Sequence, residues 1–176
     1  QQFQEWFASY AVEHLMLAAA GGDEEARQRL RLTVLNEYSW EESVLFACER
    51  TSRGNANALS ATASMVLDVL AIDPMLAAEA IRRSSECLWA AVKDRVLAFV
   101  GAWHVPNKMD RARLPQMRAW HVPNKMDRGA RFMIKTGRPE FAEAIWSFIE
   151  SPDDQIYLEA LRVGGGFQLS VLGGSI

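Results

Sequence analysis

Apolar residues recur every three or four positions along almost the whole chain. Phe3, Trp6, Phe7 and Tyr10 fall at helical spacing and lead through Leu15 into the run Met16 to Ala20. This predicts a helix over residues 1–20, stopped by Gly21-Gly22, with Trp6 in its buried stripe. Asp23 is a good N-cap for the next helix, which carries Glu24 and Glu25 in its first turn and Arg27, Arg29 and Arg31 later, and runs to about Asn36. Ser39, with Glu42 three residues on, reads as a capping box opening a third helix whose buried stripe is Val44, Leu45 and Cys48. Ser52-Arg53-Gly54-Asn55 is a polar, exposed break. Ala58 to Ile72 places Leu59, Ala63, Val66 and Leu70 on one face. Asp73-Pro74 is a cap followed by proline at the first helical position, opening a helix to about Arg83. Ser84 or Ser85 starts the next, to about Ala102, with Leu88, Val92, Val96 and Phe99 in register. Later helices are predicted over 123–136, 138–150 and 153–163, with Gly137 ending the first of them.

No stretch alternates apolar and polar residues convincingly, so no sheet is expected. Helices of 10–18 residues joined by links of 2–5 stack as antiparallel pairs, and their number exceeds a four-helix bundle. The expected fold is all-α: an α-solenoid-like stack of helical hairpins over residues 21–163, behind a first helix 1–20 and before a Gly-rich tail 164–176. From the helix already under way at Gln1 and the Gly-rich end, the chain is expected to be a fragment of a larger protein.

Composition narrows the function classes. The chain has 176 residues, 49% of them hydrophobic and 23% charged, which excludes a disordered chain. Two cysteines exclude a disulfide scaffold and point to a reducing compartment, hence a cytoplasmic protein. No apolar run is long enough for a membrane span. The net charge of −3 hides an asymmetry. Residues 102–138 carry nine basic side chains against two acidic ones, a local +7, so the remaining 139 residues sum to −10.

Part of that basic stretch is a copy of itself. Ala102 to Arg111 recurs, identical at all ten positions, as Ala119 to Arg128. An offset of 17 is about half a helical-repeat period, and such repeats drift at most positions. A recent tandem duplication or an assembly artefact explains the identity better than a binding array, and one copy is expected to bulge from the stack. The possible contact surface in this region comprises Lys108, Arg111, Arg113, Arg118, Lys125, Arg128, Arg131 and Lys135, with Trp103 and Trp120 at helix exits. Aimed one way, these cations would bind phosphates. Their spacing spreads them around a helix and the pI is 5.7, so a solvated face or an intramolecular dock is favoured over nucleic acid.

Catalytic and metal motifs are missing from the sequence. There is no G-x-x-x-x-G-K-[ST] and no G-x-G-x-x-G, and Gly164 to Gly166 reads as a helix stop. His14, His104 and His121 show no H-x-x-x-H or H-E-x-x-H spacing, and Cys48 and Cys87 are read as buried, inert thiols. Glu41-Glu42 and Asp153-Asp154 suit helix starts. Trp89 and Trp146 are expected in the core and Trp40 partly exposed. No catalytic, cofactor-binding or metal residue is assigned; no cofactor is expected, and an enzyme acting alone is the weakest class.

One motif goes further. Phe3-Gln4-Glu5-Trp6-Phe7-Ala8, within Gln1 to Tyr10, resembles the segment that closes the NACHT module of STAND-class NTPases, although the histidine that usually precedes it is missing. Arg131 to Trp146, continuing into Ser151-Pro152-Asp153-Asp154-Gln155, resembles HEAT-like repeats that follow that module in bacterial chains. The resemblance implies a non-catalytic sensor or interaction arm of a NACHT-type signalling or defence ATPase, which binds a protein ligand or restrains the NTPase module of its own parent chain. Walker residues are absent here, so nucleotide chemistry does not carry over. A stand-alone HEAT-like scaffold is the alternative, and nucleic-acid contact through 108–138 the second.

Overall fold

The computed structural model describes residues 2–104, 129 and 131–142. Among them the chain is all-α, with no strand. Six helices come first: α1 (Gln2–Ala20), α2 (Glu24–Arg29), α3 (Glu41–Thr51), α4 (Ala56–Ile72), α5 (Pro74–Arg83) and α6 (Glu86–His104). Residues 131–136 are helical and Pro139–Phe141 form a 3₁₀ turn. The chain divides into two compact units, residues 1–95 and 96–176.

Local chemistry sets most of the boundaries in the first unit. α1 stops because Gly22 takes φ +97°, a left-handed conformation that a side chain would strain. The amides of Gly22 and Asp23 then donate to the carbonyls of Ala19 and Ala18 at 3.2 and 3.0 Å, the paired bonds of a Schellman cap. Asp23 caps α2, its Oδ1 accepting from the Ala26 amide at 3.0 Å. The helix expected to reach Asn36 as one piece changes pitch instead. Leu30–Val34 is a π-helical turn, in which the Leu35 amide reaches the Leu30 carbonyl at 2.9 Å. The wider turn keeps Leu30, Val34 and Leu35 all buried.

The predicted capping box at Ser39 is not formed. Ser39 lies inside a 3₁₀ turn, Tyr38–Trp40, and α3 begins at Glu41 with no side-chain cap. Glu42, its expected partner, is instead bound by Arg83. The cap at Asp73 stands as read: it accepts from Met75 and Leu76 at 2.8 and 3.1 Å with Pro74 at the first helical position. α4 starts at Ala56, earlier than expected, because Asn55 caps it by accepting from the Ala58 amide at 2.9 Å.

α3 packs against both α1 and α5, and α4 packs against α1, α3 and α5. Val12 and Met16 of α1, Val44, Leu45 and Cys48 of α3, Met65, Val66 and Val69 of α4, and Ile81 of α5 fill the core. Ala47, Ala61, Ala77 and Ala80 are also buried and let the helix backbones approach closely. On α4 the buried face is Ala61, Thr62, Met65, Val66, Val69 and Leu70, while Leu59 and Ala63, expected on it, are only half-buried.

Buried hydroxyls are spent on backbone carbonyls and on each other. The Thr51 and Thr62 hydroxyls lie 2.7 Å apart between α3 and α4; one donates to the other, and the acceptor spends its own proton on the Ala47 or Ala58 carbonyl of its own helix. Ser52, read as exposed, is buried because it joins the start of α6. Its Oγ accepts from the Ser85 amide at 3.1 Å, and its carbonyl accepts from Ser85 Oγ at 2.5 Å. Arg53, Gly54 and Asn55 are exposed as expected.

In the second unit, Val96 and Val100 at the end of α6 are buried, and Phe99 lies 6.5 Å from Phe132 between ring centroids. Phe132 meets Phe141 edge-on at 6.4 Å. Gly137, at φ +64°, ends the helical segment 131–136 as the sequence predicts. Residues 105–128 and 143–176, which hold the second copy of the duplicated run, Trp146 and the Gly-rich tail, lie outside the described residues.

Candidate interaction surface

α1 has two faces with inverted chemistry. Ser9, Val12, Met16 and Ala19 form the buried stripe, at spacings of three, four and three. The large side chains are on the other side: Phe3 is 78% exposed, Phe7 65%, Tyr10 48% and Leu17 38%. Exposed His14 completes a row at positions 3, 7, 10, 14 and 17, with alternating steps of four and three. The expectation that Trp6 belongs to the core is therefore overturned. Trp6 sits at the edge, 40% exposed, edge-on to Phe46 of α3 at 5.5 Å. The small stripe is the one that faces α3, because close packing there selects Ser9, Val12 and Ala19 over the aromatics.

One side chain fixes this edge. Arg50 of α3 donates from Nε and Nη2 to Glu13 Oε2 at 2.9 and 2.6 Å, and from Nη1 to Ser9 Oγ at 3.0 Å. Its guanidinium lies 4.0 Å from the Tyr10 ring centroid and 5.3 Å from that of Trp6. A planar fork hydrogen-bonded at its rim and stacked on its faces is a geometry that Lys cannot reproduce. Ser9 passes the restraint on, donating to the Trp6 carbonyl at 2.6 Å. Arg50 thus holds α1 to α3 and sets the positions of two aromatics on the outer face. Sequence reasoning missed it, since its partners lie 37 and 41 residues away.

Charges elsewhere in the first unit are engaged in fastening helices together. Arg83 grips Glu42 with two bonds, at 3.0 and 3.2 Å, and Glu79 at 2.9 Å. Arg82 also binds Glu79. The guanidinium of Arg82 is held above its ordinary pKa by the Glu79 hydrogen bond, and that of Arg83 by the Glu42 hydrogen bond. Glu42 thus fastens α3 to α5 through Arg83. Arg31 pairs with Asp68 at 2.7 Å.

The two thiols differ, against the expectation that both are buried. Cys48 is fully enclosed, and burial pushes its thiol up to about 12, which keeps it protonated and unreactive. Cys87 faces outward on the first turn of α6, one residue before the buried Leu88. Trp89 is buried as expected, and Trp40 is half-buried at the 3₁₀ turn.

Of the basic stretch, Arg131 and Lys135 are described. They lie four apart on the helical segment 131–136, Arg131 exposed and Lys135 half-exposed, with Phe132, Met133 and Ile134 buried between them. Arg138, the last cation of the +7 stretch, is buried and turned away from any outward array. Trp103 lies on α6. Lys108, Arg111, Arg113, Arg118, Trp120, Lys125 and Arg128 lie outside the described residues.

Among the described residues no three His, Cys, Asp or Glu side chains converge as a metal site, and no helix is long and apolar enough to cross a membrane. Among the described residues, Phe3, Trp6, Phe7, Tyr10 and Leu17 bring five large exposed hydrophobics together on α1, with Leu32, Tyr38 and Ile72 exposed elsewhere. No family model, no curated protein and no solved structure matches this chain.

Proposed function

We propose that this chain is a non-catalytic helical interaction region, with the outer face of α1 as its docking surface. The observation that carries the reading is the row Phe3, Phe7, Tyr10 and Leu17, exposed on a helix whose opposite face is built into the core. Exposed aromatics at this density mark a surface that a protein partner covers. The guanidinium that touches these aromatics among the described residues, that of Arg50, is paired with Glu13, which favours a protein partner over a phosphate backbone.

The same helix carries Phe3-Gln4-Glu5-Trp6-Phe7-Ala8, the run that resembles the close of a NACHT module. In this reading the chain is the HEAT-like arm of a bacterial NACHT-type signalling or defence ATPase in the cytoplasm. It recognises a protein ligand or restrains the NTPase module of its parent chain. The succession α1 on α3 on α5 supports an open stack of hairpins. Titration of the 176-residue chain with Mg–ATP in a calorimeter is expected to give no saturable heat. Binding in the micromolar range would overturn the non-catalytic reading.

A further inference from the structure

We infer that the outer face of α1 seats a second copy of this chain, laid antiparallel across it; the inference rests on reading this face as a docking surface. Three observations lead there.

The first is spacing. Positions 3, 7, 10, 14 and 17 alternate steps of four and three, the seam by which one helix packs along another at a shallow angle. A single stripe that meets its own copy closes a two-fold dimer and leaves no edge for further growth.

The second is area. An aromatic side chain contributes about 150–250 Å² when fully covered, so the exposed fractions of Phe3, Trp6, Phe7, Tyr10 and Leu17 amount to roughly 500 Å² per copy. Two copies then bury about 1,000 Å² of apolar side chain before the rim is counted, which reaches the lower bound for a specific interface. That size lies at the low end, where weak and reversible encounters sit.

The third is shape and charge, which fix direction. The first half of the face carries Phe3, Trp6 and Phe7, and the second half carries exposed Ala11 and Ala20 around His14 and Leu17. A two-fold axis at Tyr10 sets Phe3 opposite Leu17 of the second copy and the aromatic half against the alanine half. His14 then lies beside Trp6 and Phe7 of the other copy. Parallel pairing would crowd Phe3, Trp6 and Phe7 on their own counterparts and bring His14 to His14. The antiparallel arrangement is the complementary one.

Sedimentation of the chain across low to high micromolar concentration tests the inference. A monomer–dimer equilibrium is expected, weakened about thirtyfold or more by Phe7→Asp. Leu32→Asp, at an exposed leucine off this face, is expected to leave it unchanged. Far-ultraviolet circular dichroism confirms that both variants fold. A wild type that remains monomeric throughout, or a dimer that survives Phe7→Asp, overturns the second copy. Direction is read in a Cys87→Ser background with a short bismaleimide. Phe3→Cys mixed with Leu17→Cys is expected to cross-link, whereas efficient cross-linking of Phe3→Cys to itself overturns the antiparallel order. Monomers that still give no heat with Mg–ATP overturn the second copy alone; micromolar nucleotide binding overturns the underlying reading.

Discussion

α1 and α5 belong to the same helical unit and dispose of their side chains in opposite ways. On α5, Leu76, Ala77, Ala80 and Ile81 turn inward, while Glu79, Arg82 and Arg83 form a linked ion network at the outer edge. α5 is finished against water: each side has the chemistry that its surroundings require. On α1 the inward stripe holds Ser9, Val12, Met16 and Ala19, and the aromatics point out. The contrast teaches that apolar periodicity reports where greasy residues lie on a helix without saying which greasy face the fold buries. On α1, packing by α2, α3 and α4 leaves the aromatic face exposed.

The largest expected effect separates those two faces directly. Ile81→Ala removes a fully buried side chain from α5, and chemical denaturation is expected to show a loss of about 2–5 kcal/mol. Phe7→Ser, at a protein concentration low enough to keep the chain monomeric, is expected to change stability by no more than about 0.5 kcal/mol. A loss at Phe7 equal to that at Ile81 would mean that the aromatic face is covered within the monomer, and the contrast between α1 and α5 would fail.

The next effect concerns what joins the helices. Arg50 and Arg31 both make ion pairs with helices distant in sequence, yet their settings differ. Arg50 has four hydrogen bonds and two ring contacts, with its side chain 24% exposed; Arg31 has one bond to Asp68 and is 50% exposed. Arg50→Ala is expected to cost about 1.5–3 kcal/mol, since a half-buried Glu13 loses its partner. Arg31→Ala is expected to cost less than about 1 kcal/mol. Arg50→Lys should recover only part of the loss, because an ammonium cannot span Glu13 and Ser9 while stacked on Tyr10. Equal costs at the two arginines would show that the stacked geometry adds nothing.

How far the sequence carried these features follows from the distance over which each is encoded. The stop at Gly21-Gly22, the caps at Asp23, Asn55 and Asp73, and the end at Gly137 rest on residues within four positions of each other, and the all-α character follows from the same short-range signals. The inverted α1, the bond between Ser52 and Ser85, and the Arg50 and Arg83 clamps depend on partners 33 to 41 residues away, so no local rule could reveal them. The candidate surface was half legible: its residues were seen as a helical stripe, and the side they take was not. The basic stretch, legible as charge, already loses Arg138 to the interior.

The smallest effect tests the boundary between what local sequence decides and what tertiary contacts override. Asp73 and Ser39 look equally good as caps in the sequence. Asp73 accepts two amide hydrogen bonds at the start of α5, whereas the residue before α3 is Trp40, and Ser39 is one turn position too early. Glu42, which a capping box would recruit, is taken by the bidentate grip of Arg83. A carboxylate held by two charge-assisted bonds to another helix outweighs one that closes a local loop. Thermal melts should therefore show a loss of about 1 kcal/mol for Asp73→Ala and a few tenths at most for Ser39→Ala. In Arg83→Ala the carboxylate of Glu42 is released and the box has its second partner back. If Ser39→Ala then becomes costly in the Arg83→Ala background, the clamp was suppressing a cap that the local sequence still encodes. If it stays neutral, the 3₁₀ turn Tyr38–Trp40 is set by its own packing and not by the competition for Glu42.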